Sequence, residues 1–209
     1  IDGGPPGEGL LHYLRRRGLH HLDVVVLSHA HPDHSGGLEP VLRELRVDEL
    51  RLPRLPAPGE DRTLYELAIR QGARVRVGGG LHPSVDFLSD HAMDLNESSL
   101  VLLQPVGGLR VLFTGDIEGA GEAARDWPQA DILKVPHHGS RSSSSPDFLE
   151  QVQPSLAVIG CGRENRYGHP HPEVLRRYPQ VLRTDQQGSI EVSDAGVRTW
   201  SPGRGWREL

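Results

Sequence analysis

The stretch His29-Ala30-His31-Pro32-Asp33-His34 decides the expected fold and chemistry of this chain. It directly follows the apolar run 22–27, which has the composition of a buried strand, and Gly36-Gly37 then opens a helical pattern. Alternating histidines at a strand end point two imidazoles into one space, and Asp33 and His34 on the next turn address a second position. Imidazole and carboxylate together suit zinc, manganese or iron. Because histidine is scarce, a surface loop with fortuitous histidines is the weaker reading, and we predict that His29, His31, Asp33 and His34 are metal ligands.

Composition limits the class of protein. The 209 residues suit one α/β domain, with twelve histidines and a single cysteine, Cys161. One cysteine excludes an internal disulfide and a cysteine-based structural zinc site. The 23 basic residues include only one lysine, Lys134, and the net charge of −5 argues against a protein that coats nucleic acid non-specifically. Apolar runs are far shorter than a membrane span.

Strand-like runs alternate with helical patterns, which predicts a mixed sheet with helices in one domain. Helices are predicted at residues 10–18, 38–45, 62–71, 117–127, 146–152 and 172–178, and strands at 22–27, 49–52, 73–77, 85–88, 98–104, 110–114, 131–135, 155–159, 180–183, 189–192 and 197–200.

A second candidate ligand follows another predicted strand, at Thr114-Gly115-Asp116. Gly-Asp after a strand is also ordinary turn chemistry. Together with the histidine loop (residues 29–34), however, the Asp116 carboxylate is a candidate bridge between two ions, as two-metal hydrolysis requires.

A third candidate is Pro136-His137-His138-Gly139-Ser140, again after a strand. We predict one histidine as a metal ligand, with His137 favoured, and the other, His138, as a proton-transfer group. Ser140 either donates to phosphate oxygens or belongs to the cap of the helix near Pro146.

The fourth candidate is the loop 162–172, which contains two arginines, an asparagine and two histidines. His169 is predicted as the last metal ligand or as a general acid. Arg163, Asn165 and Arg166 are predicted to bind an anionic substrate. The alternative is a solvated turn before a proline-started helix. The remaining histidines at 12, 20, 21, 82 and 91 are predicted to be surface or core residues.

These residues, in this order, resemble the metallo-β-lactamase superfamily, whose first and bridging motifs match residues 29–34 and Asp116. The fuller set resembles the C-terminal domain of the ComEC-type DNA-internalisation competence proteins, from Ile1 to about Ser193. The matching segments are Asp2-Gly3-Gly4-Pro5, Asn96 with Ser99-Leu100-Val101-Leu102, Thr114-Gly115-Asp116, Val135-Pro136-His137-His138-Gly139-Ser140 and Asn165-Tyr167-Gly168-His169-Pro170-His171.

The resemblance implies an α/β fold of the metallo-β-lactamase type, a four-layer αββα sandwich with the metal site at one edge. It implies a single domain over residues 1–209, part of a larger integral membrane protein and lacking its first strand. It also implies a location on the extracytoplasmic face of the bacterial cytoplasmic membrane. The expected partners are DNA and the membrane channel part of the same polypeptide, with no small-molecule cofactor.

One departure from the wider superfamily concerns the middle histidine ligand, which has no clear counterpart here. The segment 96–99 stands in its region, and Asn96 and Ser99 are predicted to bind substrate. A metal position that is oxygen-rich or binds its ion weakly favours manganese over zinc. Zinc remains the alternative divalent ion.

We therefore predict a metal-dependent nuclease that degrades the non-imported DNA strand during natural transformation. Asp33 is expected to orient the attacking water, and His138 or His169 to protonate the leaving 3′-oxygen. The alternatives are a non-catalytic DNA-binding or gating domain, and another metallo-hydrolase of thioesterase or lactonase type. β-Lactamase activity itself is not expected.

Overall fold

The computed structural model describes residues 1–78 and 95–209, which form two compact units. The first unit comprises residues 1–78 and 95–100, and the second comprises residues 101–209. The predicted strand 85–88 and the histidines at 82 and 91 lie outside the described residues.

The first unit is built on a three-stranded parallel sheet in the order β1-β2-β3. Its elements, in chain order, are α1 Gly9–Arg16, β1 His21–Val26, α2 Pro32–Ser35, α3 Leu38–Glu44, β2 Arg46–Leu52, α4 Thr63–Arg70 and β3 Arg74–Val77. Parallel neighbours need crossover connections, and helices supply them here: α2 and α3 link β1 to β2, and α4 links β2 to β3.

The core of the first unit follows the helical spacing of its apolar residues. Leu38 and Leu42 of α3 pack in one cluster with the sheet, whereas Val41 packs with Leu11 and Leu14 of α1. Strand β1 is less buried than predicted. Only its last two residues, next to the histidine loop, are buried, and Val24 is exposed. Burial therefore concentrates at the end of the strand that presents the candidate ligands.

Close backbone contact fixes the chain start against α3. A Cβ on Gly37 would lie 2.0 Å from the carbonyl oxygen of Gly3, and a Cβ on Gly3 would lie 2.4 Å from the backbone nitrogen of Leu38. Neither glycine can be replaced without moving the backbone. The approach also brings Asp2 alongside β1, where its backbone N–H donates to the Val26 carbonyl at 2.8 Å.

The second unit contains a five-stranded sheet in the order β4-β5-β6-β7-β8 and a three-stranded antiparallel sheet in the order β11-β10-β9. Only β4 and β5 are antiparallel in the larger sheet, as predicted for the hairpin across Gly107-Gly108. The elements are β4 Leu102–Val106, β5 Leu109–Phe113, α5 Gly119–Ala123, β6 Ile132–Lys134, α6 Pro146–Val152, β7 Leu156–Ile159, α7 Pro172–Leu175, β8 Val181–Arg183, α8 Thr184–Gln187, β9 Ser189–Ser193, β10 Gly196–Ser201 and β11 Gly205–Glu208. Pro136–Gly139 forms a short 3-10 turn.

Several sequence predictions for this unit need correction. The strand predicted at 98–104 spans Leu102–Val106, and the helix predicted at 172–178 ends at Leu175. The helix predicted at 117–127 is only the five-residue α5, because the chain leaves it so that the buried Trp127 indole N–H donates to the Glu122 carbonyl at 2.7 Å. Trp127 also packs edge-on against Phe148 in the core. Strand β11 was not predicted; its Trp206 lies opposite Trp200 of β10. The described part of the chain contains no helix that is long and apolar enough to span a membrane.

Candidate metal centre

In the first unit, His29 and His31 aim ring nitrogens at one point. The Nε2 atom of His29 lies 3.1 Å from Nδ1 of His31, and His29 is fully buried. Two nitrogens bound to one ion at about 2.0–2.1 Å are separated by roughly 2.9–3.4 Å in octahedral or tetrahedral geometry. The pair therefore fits a metal ligand pair.

A carboxylate behind the loop holds its histidines in the form that binds metals. Asp2 accepts hydrogen bonds from Ser28 N–H at 2.7 Å, from Ser28 Oγ at 2.8 Å and from His34 Nδ1 at 2.9 Å. Because Ser28 gives its only hydroxyl proton to Asp2, its oxygen accepts from Nδ1 of His29, 3.1 Å away. Both histidines thus carry their proton on Nδ1, which leaves Nε2 as the electron-pair donor. Such outer hydrogen bonds are typical of metal-binding histidines.

The ionisation of Asp2 fits this role. Burial raises the pKa of the Asp2 carboxyl, but the hydrogen bond from His34, its positive charge when protonated and the two bonds from Ser28 outweigh burial, so the pKa lies below its ordinary value. Asp2 is therefore a carboxylate at neutral pH. From the sequence, Asp2 is only the first residue of the matching segment 2–5, and no role was predicted for it. Its role is visible in the fold, which brings residue 2 beside residues 28 and 34.

The other predicted residues of the first unit differ in exposure. Asp33 lies in the first turn of α2 and is exposed. Ser99 is buried, and its N–H donates to the Asn96 carbonyl, while the next residue, Leu100, donates to the Ser28 carbonyl at 2.9 Å. The segment 96–99 thus joins the strand end that carries the histidine loop.

In the second unit, Asp116 follows the end of β5 and is only 2% exposed. Gly115 precedes it with a φ of +56°, a left-handed conformation that glycine adopts at little cost and that turns the chain there. The hydroxyl of the buried Thr114 donates to the Lys134 carbonyl at 3.1 Å and ties this turn to β6. The turn therefore presents a buried carboxylate at the end of the sheet.

His137 and His138 face Asp116 from the turn after β6. Nε2 of His138 lies 3.4 Å from Oδ2 of Asp116, and Nε2 of His137 lies 4.0 Å from the same oxygen. The opposite ring nitrogens are anchored, since Nδ1 of His138 donates to the Gly160 carbonyl and Nδ1 of His137 to Glu118, each at 2.7 Å. Both rings thus offer Nε2, and the shorter distance favours His138 over the predicted His137 as the ligand.

The backbone of both histidines is strained. His137 and His138 have φ values of +45° and +51°, in the left-handed region that costs an L-residue about 1–2 kcal/mol. Ser143 holds the turn, because its hydroxyl bonds the carbonyls of Pro136 and Ser140, both 3.0 Å away. Such strain at chain positions that carry reactive side chains is common in functional sites.

A buried carboxylate supports the serine segment behind this turn. Glu122 is 2% exposed and accepts the backbone N–H groups of Ser144 and Ser145. Ser140, a predicted substrate residue, is also buried, and its hydroxyl lies 2.8 Å from that of Ser142. Sequence reasoning missed Glu122, because a glutamate in a Gly-Ala-rich helix carries no signal of its partners.

His169 extends the cluster of the second unit. Its ring centre lies 5.6 Å from that of His137. Burial and the neighbouring His137 and His138 lower the pKa of His169, so the ring is mainly neutral near pH 7. Asn165 fixes this residue by donating to its carbonyl at 2.7 Å and accepting its N–H at 2.9 Å. Asn165 therefore positions His169, and its predicted contact with substrate stays a prediction.

The remaining predicted residues of this loop, Arg163 and Arg166, are exposed. The surface histidines at 12 and 21 are also exposed and pair with Glu8 and Asp48. The first unit additionally contains a cavity of about 280 Å³, lined mainly by apolar groups, that borders the histidine loop at Ala30 and Ser35.

Each unit by itself brings its predicted residues together at a strand end. The first gathers the histidine loop and the segment 96–99; the second gathers Asp116, both histidines of the turn and His169. The candidate metal ligands among them are nitrogen and carboxylate donors, a set suited to zinc or manganese.

Similar proteins cover most of the chain. ComE operon protein 3 of Bacillus subtilis is 38% identical over 87% of the chain, and recombination protein 2 of Haemophilus influenzae is 36% identical over 91%. Competence protein ComA of Neisseria gonorrhoeae is 31% identical over 88%. The chain spans about a quarter of the length of these relatives, 26%, 25% and 27% respectively.

The family comparison agrees with this resemblance. The sequence model of the metallo-beta-lactamase superfamily matches residues 1–163. This range includes the histidine loop, Asp116 and the turn after β6. The predicted α/β class, the metallo-β-lactamase type of fold and the resemblance to ComEC-type competence proteins are therefore confirmed. The chain belongs to the metallo-beta-lactamase superfamily.

Proposed function

We propose that this chain is a metal-dependent phosphodiesterase that cleaves DNA. The observation that carries the proposal is the convergence of His29 Nε2 and His31 Nδ1 at 3.1 Å. Behind the loop, the Asp2 carboxylate fixes the proton of His34 directly and that of His29 through Ser28. An arrangement that leaves nitrogen lone pairs aimed at one point is suited to hold a cation. Membership of a superfamily with typical metal-dependent hydrolases supports the catalytic reading.

One or two divalent ions are the cofactor in this proposal, with manganese favoured over zinc. The ligands that we propose are those predicted from the sequence, His29, His31, Asp33, His34 and Asp116, with one histidine of the pair 137/138. Divalent ions in such a site lower the pKa of a water and stabilise charge on phosphoryl oxygens.

The chain's own residues supply orientation and protons. Asp33, exposed at the start of α2, accepts a hydrogen bond from the attacking water and orients it. His138 or His169 is the proposed proton donor to the leaving 3′-oxygen; His169, which is mainly neutral near pH 7, would act in its protonated form. Arg163 and Arg166 bind the flanking phosphates through charge-assisted hydrogen bonds.

The biological setting that we propose is DNA uptake, with degradation of the strand that is not imported. The names of the relatives, a competence protein and a recombination protein among them, support this setting. In it, the chain acts beside the membrane channel part of the same polypeptide, on the extracytoplasmic face of the bacterial cytoplasmic membrane.

The test is incubation of the purified chain with linear and circular single-stranded DNA, in manganese, zinc, magnesium or chelator. We expect metal-dependent loss of DNA by the native chain and none by Asp33→Ala. Cutting of circles would reveal endonuclease action. Equal cleavage by the Asp33→Ala variant would refute the role of Asp33, and no cleavage with any ion would move the proposal to a DNA-binding or gating domain.

A second candidate is an acyl hydrolase of thioesterase or lactonase type. The mainly apolar cavity of about 280 Å³ beside the histidine loop favours it, since it offers space for an apolar acyl group. It predicts metal-dependent turnover of acyl esters or thioesters and indifference to DNA.

A further inference from the structure

Tyr167 is an exposed aromatic side chain beside the candidate centre of the second unit. It is 81% exposed, whereas the other exposed tyrosine among the described residues, Tyr13, is 38% exposed. Its ring is nearly parallel to that of His169, with an interplanar angle of 17° and ring centres 6.0 Å apart. Exposing so much aromatic surface forgoes the free energy of burial, so packing in the core does not explain this placement.

The surroundings of Tyr167 are cationic. Arg163 and Arg166, which precede Tyr167 in the same loop, are exposed, and neither forms an ion pair with another described residue. Glu164 leaves the loop with one net positive charge. An exposed aromatic face in a loop with two exposed guanidinium groups matches a ligand that has both π-faces and phosphates.

The ring stack also reaches toward the candidate metal residues. Tyr167 lies against His169, and His169 lies 5.6 Å from His137, whose Nε2 faces Asp116. Two ring-to-ring contacts, first with His169 and then with His137, therefore connect Tyr167 to the neighbourhood of the Asp116 carboxylate. A base stacked on the tyrosine would belong to a nucleotide next to the phosphate that reacts.

From this geometry we infer that Tyr167 is a stacking platform for an unpaired nucleobase, and that Arg163 and Arg166 bind the phosphates on either side of that base. The inference rests on the proposed function and adds to it a preference for single-stranded nucleic acid, because a base inside a duplex cannot present its face to the ring. Stacking is sequence-tolerant, since every base has a π-face.

The experiment measures binding of a fluorescent single-stranded oligonucleotide in chelator, where cleavage does not interfere. Tyr167→Ala is compared with Tyr167→Phe, which keeps the ring, and with Tyr13→Ala, a matched exposed tyrosine on α1. We expect Tyr167→Ala to lose roughly 5- to 100-fold in affinity and the other two variants to bind like the native chain. Tyr167→Leu repeats the test with an apolar side chain of similar bulk.

A second oligonucleotide with abasic sites separates base stacking from phosphate binding. The native chain is expected to bind it more weakly than the normal strand, and Tyr167→Ala to bind both equally. An oligonucleotide with 2-aminopurine is expected to be quenched by the native chain and by Tyr167→Phe only. Unchanged affinity of Tyr167→Ala, or equal binding of both strands by the native chain, would overturn the inference.

The two proposals fail in different ways. If the native chain cleaves DNA with manganese and Tyr167→Ala is indistinguishable from it in both binding and cleavage, only the stacking platform is wrong. If the native chain neither binds nor cleaves DNA, the proposed function is wrong, and the platform is overturned with it.

Discussion

Replacement of Asp2 by asparagine tests how the histidine loop is prepared for metal. Asp2 accepts three hydrogen bonds, two from Ser28 and one from His34. An asparagine oxygen can keep the bond from the Ser28 N–H, but its NH₂ group then faces Nδ1 of His34, which must become an acceptor. The His34 proton moves to Nε2, and the electron pair available for a metal is lost.

The expected effect on metal affinity follows from the loss of the Asp2 carboxylate as the hydrogen-bond acceptor for His34. Removing such an outer carboxylate typically lowers metal affinity 10- to 100-fold, which is about 1.4–2.7 kcal/mol. Titration calorimetry with Mn²⁺ on the native chain, on Asp2→Asn and on Asp126→Asn measures it. Asp126 is an exposed aspartate after α5, and its variant is expected to bind like the native chain.

The same calorimetry can refute the reasoning. If Asp2→Asn binds Mn²⁺ within twofold of the native chain, Asp2 does not set the proton positions of the loop. If affinity is unchanged while the free energy of unfolding in chelator falls, Asp2 contributes to stability alone, as a buried hydrogen-bonded carboxylate can do without any metal.

Three further predictions concern stability and substrate binding. Glu122→Gln puts an amide NH₂ in place of one of the two oxygens that accept backbone N–H groups in a buried site. We expect it to lower the free energy of unfolding by about 2–4 kcal/mol in urea titration, and an unchanged value would contradict this role. Because the pKa of Asp2 is lowered on folding, its stabilisation is fully present above the ordinary value of 3.8 and is lost as the pH falls through the lower, folded value. Between pH 6 and pH 3, the free energy of unfolding in chelator should therefore fall less for Asp2→Asn than for the native chain. An equal fall in both proteins would contradict the pKa shift. The double variant Arg163→Gln/Arg166→Gln should reduce the salt slope of single-strand binding by about 1.4, and Arg204→Gln, an exposed control, should leave it unchanged.

The sequence predicted best what depends on local pattern. The apolar spacing of 38–45 gave α3 within one residue of its observed bounds, Leu38–Glu44, and Gly107-Gly108 gave the β4–β5 hairpin. Candidate ligands were found because histidine is scarce and because strand ends carry functional loops in α/β folds.

What the sequence left open depends on contacts between distant residues. Asp2 gained a role only through its bonds to residues 28 and 34, and Glu122 only through the backbone of residues 144 and 145. His137 and His138 are adjacent in sequence, so no pattern could rank them; the distances of 4.0 and 3.4 Å to Asp116 do. The shortened α5 coincides with the burial of Trp127 against Phe148, a tertiary contact that overrides helical propensity.

The most direct test of the proposed phosphodiesterase offers the manganese-loaded chain two substrates in one buffer, a labelled single-stranded oligonucleotide and a nitrophenyl acyl ester. The native chain and Asp116→Asn are assayed in parallel, with chelator as the blank. The account predicts cleavage of the oligonucleotide by the native chain, a loss of at least about 100-fold in Asp116→Asn, and no enzymatic turnover of the ester. Hydrolysis of the ester that depends on Asp116, with the oligonucleotide left intact, would contradict it.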